Sequence, residues 1–171
     1  MSLIALALLL QDEMPMPKPG EHHEHMKAFV GTWEATIQMN APDGTQMEGK
    51  GTQTDKLCCG DLWLTTDFDG EFGGMPFTGH GTMGYDPEKK KYVGIWVDSM
   101  VDYMQHSEGE CSDDGKTFTM IVKAKDHETG AWTEMKEVSE IVDKDNKTLT
   151  FYSKAGEEWE EIMKIEYKRK K

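Results

Sequence analysis

The chain has 171 residues, with 32 acidic side chains against 19 basic ones and a net charge of −13. That field repels nucleic acid and anionic membrane surfaces unless basic residues are segregated. The one basic cluster, Lys168-Arg169-Lys170-Lys171, is short, terminal and read as a solvated end. The length suits a single domain with one sizeable core.

Leu3 to Leu10 is a continuous apolar run, far too short to span a bilayer. It matches the core of an export signal, although no Lys or Arg precedes it and no clean small-residue cleavage site follows. Two readings stay open. An export-signal remnant would send the protein to the periplasm or outside the cell. A hydrophobic arm packed on the fold or on a neighbouring chain would leave it cytoplasmic. Gln11 to Gly20, with Pro15, Pro17 and Pro19, reads as a linker. The chain thus divides into 1–19, leader or arm plus linker, and 20–171, one domain.

Glu21 to Val30 predicts a short helix with Met26, Phe29 and Val30 on one stripe. Gly31 sits where a helix C-terminus favours glycine. Trp33, Ala35, Ile37 and Met39 then alternate with Thr32, Glu34, Thr36 and Gln38, the period of a strand with one buried face. Asn40 to Gly44 is a turn, with Asp43-Gly44 able to supply left-handed positions. Met47 to Leu57 predicts a polar, exposed strand. Cys58 to Phe68 predicts another, with Leu62, Leu64 and Phe68 on one face, and Asp69 to Gly74 a turn. Phe77 to Tyr85 carries Gly79 and Gly81 inside a strand, where they permit a bend or the close approach of a neighbour.

Asp86 to Lys89 turns into Tyr92 to Asp98. There Tyr92 and Trp96 face one way and Val93, Ile95 and Val97 the other. Val101 to Cys111, Thr117 to Ala124, Trp132 to Val142, Thr148 to Ser153 and Trp159 to Lys168 complete the strands, the last with Glu161, Met163, Ile165 and Tyr167 on one face. Turns separate them at Ser112 to Gly115, Asp126 to Gly130, Asp143 to Asn146 and Ala155-Gly156. About ten strands at a roughly 8–12-residue spacing mark an all-β sandwich or barrel. No helical segments intervene to build parallel units. Short hairpin links favour an antiparallel up-and-down barrel, with the helix plugging one end.

A Gly-x-Trp opening the first strand resembles the calycin-type, lipocalin-like barrels. The order of EHHEHMKAFVGTW, Gly74-Met75-Pro76-Phe77, Gly84-Tyr85-Asp86, Lys91-Tyr92, Trp96-Val97-Asp98, Glu108-Gly109, Thr129-Gly130 and Ile165-Glu166-Tyr167 resembles the bacterial Domain of Unknown Function 1579 family from about residue 20 onward. The resemblance implies a lipocalin-like fold and brings no accepted activity. It also implies a structural role for Trp33 at the closed barrel end, against Lys168 or Arg169 of the last strand.

Motif chemistry is sparse. Cys58, Cys59 and Cys111 form an odd set and read as small buried hydrophobes. His22, His23 and His25 read as a polar helix face, not a metal site. Asp143 to Asn146 lacks the glycine and glutamate of a calcium loop. No nucleophile elbow, phosphate loop or dinucleotide turn is present, so neither a catalytic residue nor a cofactor is assigned.

With 13 methionines and 5 tryptophans, a ligand-holding interior is the leading expectation. The predicted lining is Phe68, Phe77, Met83, Trp96, Met120, Phe151 and Met163, with Tyr85, Asp98 and Tyr167 as polar anchors. The expected partner is a small apolar or amphipathic molecule. Two alternatives stand beside it. One is a filled barrel with a structural role, self-associating through Val93, Ile95 and Val97. The other is a haem-binding barrel, for which His80 and His106 are the barrel histidines.

Overall fold

A computed structural model describes residues 16–40, 44–126 and 129–171. The apolar run at 3–10, the first half of the linker and the centres of two turns, 41–43 and 127–128, lie outside the described residues.

The described chain opens with helix α1 (Glu21–Met26) and a 3-10 turn (Lys27–Phe29). Ten strands follow: β1 (Gly31–Asn40), β2 (Gln46–Cys58), β3 (Trp63–Phe72), β4 (Met75–Asp86), β5 (Lys91–Asp98), β6 (Gln105–Cys111), β7 (Thr117–Lys125), β8 (Trp132–Ile141), β9 (Asn146–Ala155) and β10 (Glu158–Arg169). Each pairs antiparallel with its sequence neighbour, and β1 closes on β10. Closure leaves no open sheet edge. Among the described residues no helix is long and apolar enough to cross a membrane.

Three expected boundaries move, and one strand gains a bulge. Residues 59–62 form a turn instead of continuing a strand, with Cys59 and Asp61 at positive φ. Leu62 therefore leaves the Leu64–Phe68 face. The turn expected at 69–74 shrinks to Gly73-Gly74, because Gly70 lies within β3, where a side chain would meet the Gly51 Cα at 2.6 Å. That glycine serves close strand approach, not chain reversal. β6 begins at Gln105, and residues 99–104 form a connection. In β10 a bulge between Glu161 and Met163 makes Ile162 the extra residue. The bulge switches the facing of what precedes it, so Glu161 is exposed and does not join Met163, Ile165 and Tyr167.

The helical segment plugs the end of the barrel where β1 starts and β10 finishes. Met26 and Phe29 are buried there and Val30 is half-buried. Phe29 meets Phe118 edge-on at 5.1 Å, within a cluster that includes Leu64, Tyr92 and Met120. The Tyr92 hydroxyl donates to the His22 carbonyl at 2.9 Å and its oxygen lies 3.1 Å from His25 Nδ1. His22 stacks on Tyr85 at 3.8 Å. The helix histidines thus pack against barrel tyrosines. Gly31 belongs to β1, with φ of +144°, and a side chain on it would collide with the Arg169 guanidinium.

Candidate functional site

Beyond the plug the barrel is hollow. The cavity measures about 470 Å³. Met100 lines it and is also exposed, so the mouth lies at the opposite end from the helix, beside the β5–β6 connection. Met75, Met104 and Trp132, all exposed, lie on the same end.

Strand alternation sends predicted residues inward. Phe68, Phe77, Met83, Trp96 and Asp98 line one side of the cavity. Met120, Phe151, Met163 and Tyr167 line it from β7, β9 and β10. Tyr85 does not line it. It sits at the plugged end, with its ring on His22 and 5.3 Å from that of Tyr92.

Glycines in β4 shape the wall. A side chain on Gly81 would stand 2.8 Å from Trp96, and one on Gly79 would penetrate the indole. Trp96 therefore lies flat across β4. Its Nε1 donates to Asp98 Oδ2 at 3.0 Å, while Asp98 Oδ1 accepts the Met100 N–H at 2.8 Å. Asp98, expected as a ligand anchor, already fixes Trp96 and the mouth connection.

The deep end holds a charged cluster that the reading of β2 as polar and exposed missed. Asp55 and Lys147 are 1% and 3% exposed, and Lys147 Nζ lies 2.5 Å from Asp55 Oδ2. Gln53 donates to both Asp55 oxygens at 3.1 and 3.0 Å, and Thr66 Oγ1 donates to Oδ1 at 2.7 Å. Lys147 Nζ also lies 4.5 Å from the Trp33 ring centre and 4.8 Å from that of Tyr167. Burial pushes the Lys147 ammonium below the ordinary lysine range, against the pull of Asp55. The signal for this cluster is parity. Lys147 shares its face with Leu149 and Phe151, and Asp55 shares one with Gln53.

Trp33 is fully buried and caps this floor. Its Nε1 donates to the Phe29 carbonyl at 2.8 Å, and the Arg169 guanidinium lies 4.0 Å from its ring centre. Arg169 also donates to the carbonyls of Val30 and Lys144, each at 2.7 Å. Lys168, the other residue offered for this contact, is exposed on the opposite face of β10.

A second interior carboxyl, Glu137 of β8, lies level with Met120 and Phe151 and lines the cavity. Burial pushes its pKa up to about 7. Tyr167 also faces the cavity. Its phenol is pushed up by burial first, then by the charges of Asp55 and Glu137.

The remaining candidates are elsewhere. His80 is exposed and its Nδ1 lies 2.7 Å from Asp67 Oδ1, and His106 is exposed. No described histidine lines the cavity, so an iron-ligating histidine for haem has no place among the described residues. Cys59 is exposed, correcting the expectation of burial, while Cys58 and Cys111 are half-buried, and all three are free. Burial pushes the Cys111 thiol up to about 11, away from the reactive thiolate.

The fold has solved relatives. Rv2717c from M. tuberculosis superposes with a TM-score of 0.67 at 11% identity, covering 89% of this chain and 99% of that one. The S-type phycobiliprotein lyase CPES from Guillardia theta gives a TM-score of 0.56 at 10% identity, covering 86% of this chain and 92% of that one. At such identities the likeness concerns the fold. A search of curated proteins finds no significant match. The sequence profile of the "protein of unknown function (DUF1579)" family matches residues 18–169, and the chain belongs to that family.

Proposed function

We propose that this protein is a binding module that holds one small apolar or amphipathic molecule inside its barrel. The observation that carries the reading is the cavity: about 470 Å³, walled by aromatic and methionine side chains, with a few polar groups. That combination is the usual make-up of a small-molecule site. A filled barrel, the structural alternative, would leave no such volume. The phycobiliprotein lyase with the same fold supports a ligand-handling role by analogy alone.

Native mass spectrometry of the purified protein, beside its denatured mass, tests this. A native excess of a few hundred daltons per chain (roughly a drug-sized ligand), released on denaturation, is the expected result. Equal masses, together with failure of apolar probes to bind, would remove the reading. The same spectrum addresses self-association. Trp63, Ile95 and Val97 are 38%, 37% and 37% exposed, apolar side chains on the outer wall. A dimer in the spectrum would favour that wall as a self-contact.

A further inference from the structure

Interior carboxyls are costly unless something satisfies them. Asp55 is satisfied by Lys147, Gln53 and Thr66, and Asp98 by Trp96 and the Met100 N–H. Glu137 is different. It is enclosed by the barrel, the surface it keeps faces the cavity, and no described residue hydrogen-bonds to it. Its register neighbours, Met120 and Phe151, offer no donor side chain. The Tyr167 hydroxyl also faces the cavity and receives no hydrogen bond from the described residues.

The positive charge is arranged the opposite way. Lys147 is the one cation among the described cavity residues, and it is engaged by Asp55 and surrounded by aromatic rings. Above about pH 7, where Glu137 is ionised, a ligand carboxylate entering the cavity would meet a like charge there and no uncommitted cation. A ligand N–H⁺ would meet an acceptor whose hydrogen-bonding capacity is unused, in surroundings that strengthen a charge-assisted bond.

Resting on the binding reading above, we propose that the cavity selects a hydrophobic ligand whose polar group is a positively charged nitrogen, received by Glu137, and rejects fatty carboxylates. Tyr167 accepts or donates a second hydrogen bond to the same polar group.

Isothermal titration with dodecylamine, dodecanol and dodecanoate tests it, since the three share one tail. The amine is expected to bind about tenfold more tightly than the alcohol, the scale of one charge-assisted hydrogen bond, and the carboxylate more weakly than either. The acidic surface attracts any amine, so the decisive readout is the variant. Glu137→Gln should erase the amine's advantage over the alcohol, while Glu140→Gln, which removes an exposed charge on the same strand, should leave it intact. If Glu137→Gln does not fold, Glu137→Leu provides the same comparison and should also bind dodecanoate better than the native protein does. An amine advantage that survives Glu137 replacement, or dodecanoate binding equal to the amine, overturns the proposal. Binding of the alcohol without an amine advantage removes this inference and leaves the cavity reading standing. Binding of none of the three removes both.

Discussion

Two carboxyls occupy the interior of one barrel and live under opposite conditions. Asp55, near the plugged end, receives an ammonium, an amide and a hydroxyl, and is 1% exposed. Glu137, higher in the cavity, receives no hydrogen bond from the described residues. The first arrangement is complete without a guest. The second is not. The difference divides the interior into a floor that holds the barrel together and a chamber that remains chemically open. A stability measurement should see the floor, and a binding measurement the chamber.

The largest expected effect comes from breaking the floor. Lys147→Met removes the ammonium and leaves Asp55 buried with only Gln53 and Thr66. Breaking one half of a buried pair costs about 3–5 kcal/mol, much of it from the stranded charge. Urea unfolding should show that loss. The double variant Asp55→Asn, Lys147→Met should recover most of it, because no charge is stranded. Additive losses in the double variant would mean that the pair is not the unit described.

The chamber should respond in the opposite direction. The Glu137 carboxyl has an ordinary value of 4.5 and lies at about 7 in the folded protein. The folded state therefore holds the proton more tightly than the unfolded chain does. Its contribution to stability is fully present below about pH 4.5 and is lost as pH rises through about 7. The shift corresponds to roughly 3 kcal/mol at most, at about 1.4 kcal/mol per pH unit. Glu137→Gln removes the penalty without changing shape. Its melting temperature should exceed the native value at about pH 8, and the gap should close towards about pH 5. A gap that does not vary with pH would show that Glu137 is satisfied in the native protein, and the contrast with Asp55 would collapse.

This contrast was only partly legible in the sequence. Alternation along β1 and β7, with turn residues between strands, is enough to read an antiparallel barrel. Periodicity assigns a residue to a face, and that is all it does. It places Lys147 beside Leu149 and Phe151 and Glu137 beside Met135, yet a strand with a charged residue at an inward position also reads as an exposed strand. Asp55 and Lys147 are 92 positions apart, and only closure of the sheet brings them together. Glu161 shows the complementary limit. A single extra residue in β10 reversed its facing, and no local signal marks the bulge. Tyr85 misled differently, since it has the inward parity of a lining residue but lies near enough to the plugged end of β4 to meet the helix instead.

The smallest expected effect sharpens the boundary between floor and chamber from the plug side. The Tyr92 hydroxyl ties α1 to the barrel through the His22 carbonyl and His25 Nδ1. A six-residue helix has little stability of its own, so its position depends on such ties and on buried Met26. Tyr92→Phe keeps the ring in its cluster with Phe118, 4.8 Å away, and deletes only the hydroxyl. The loss should be about 1 kcal/mol, the net worth of an ordinary hydrogen bond. Hydrogen exchange should locate it, with faster exchange in residues 21–26 and unchanged protection in β8 and β9. Ligand affinity should not move, because the hydroxyl lies outside the cavity wall. If affinity falls together with helix protection, the plug is a working part of the site, and the floor would then belong functionally to the chamber above it.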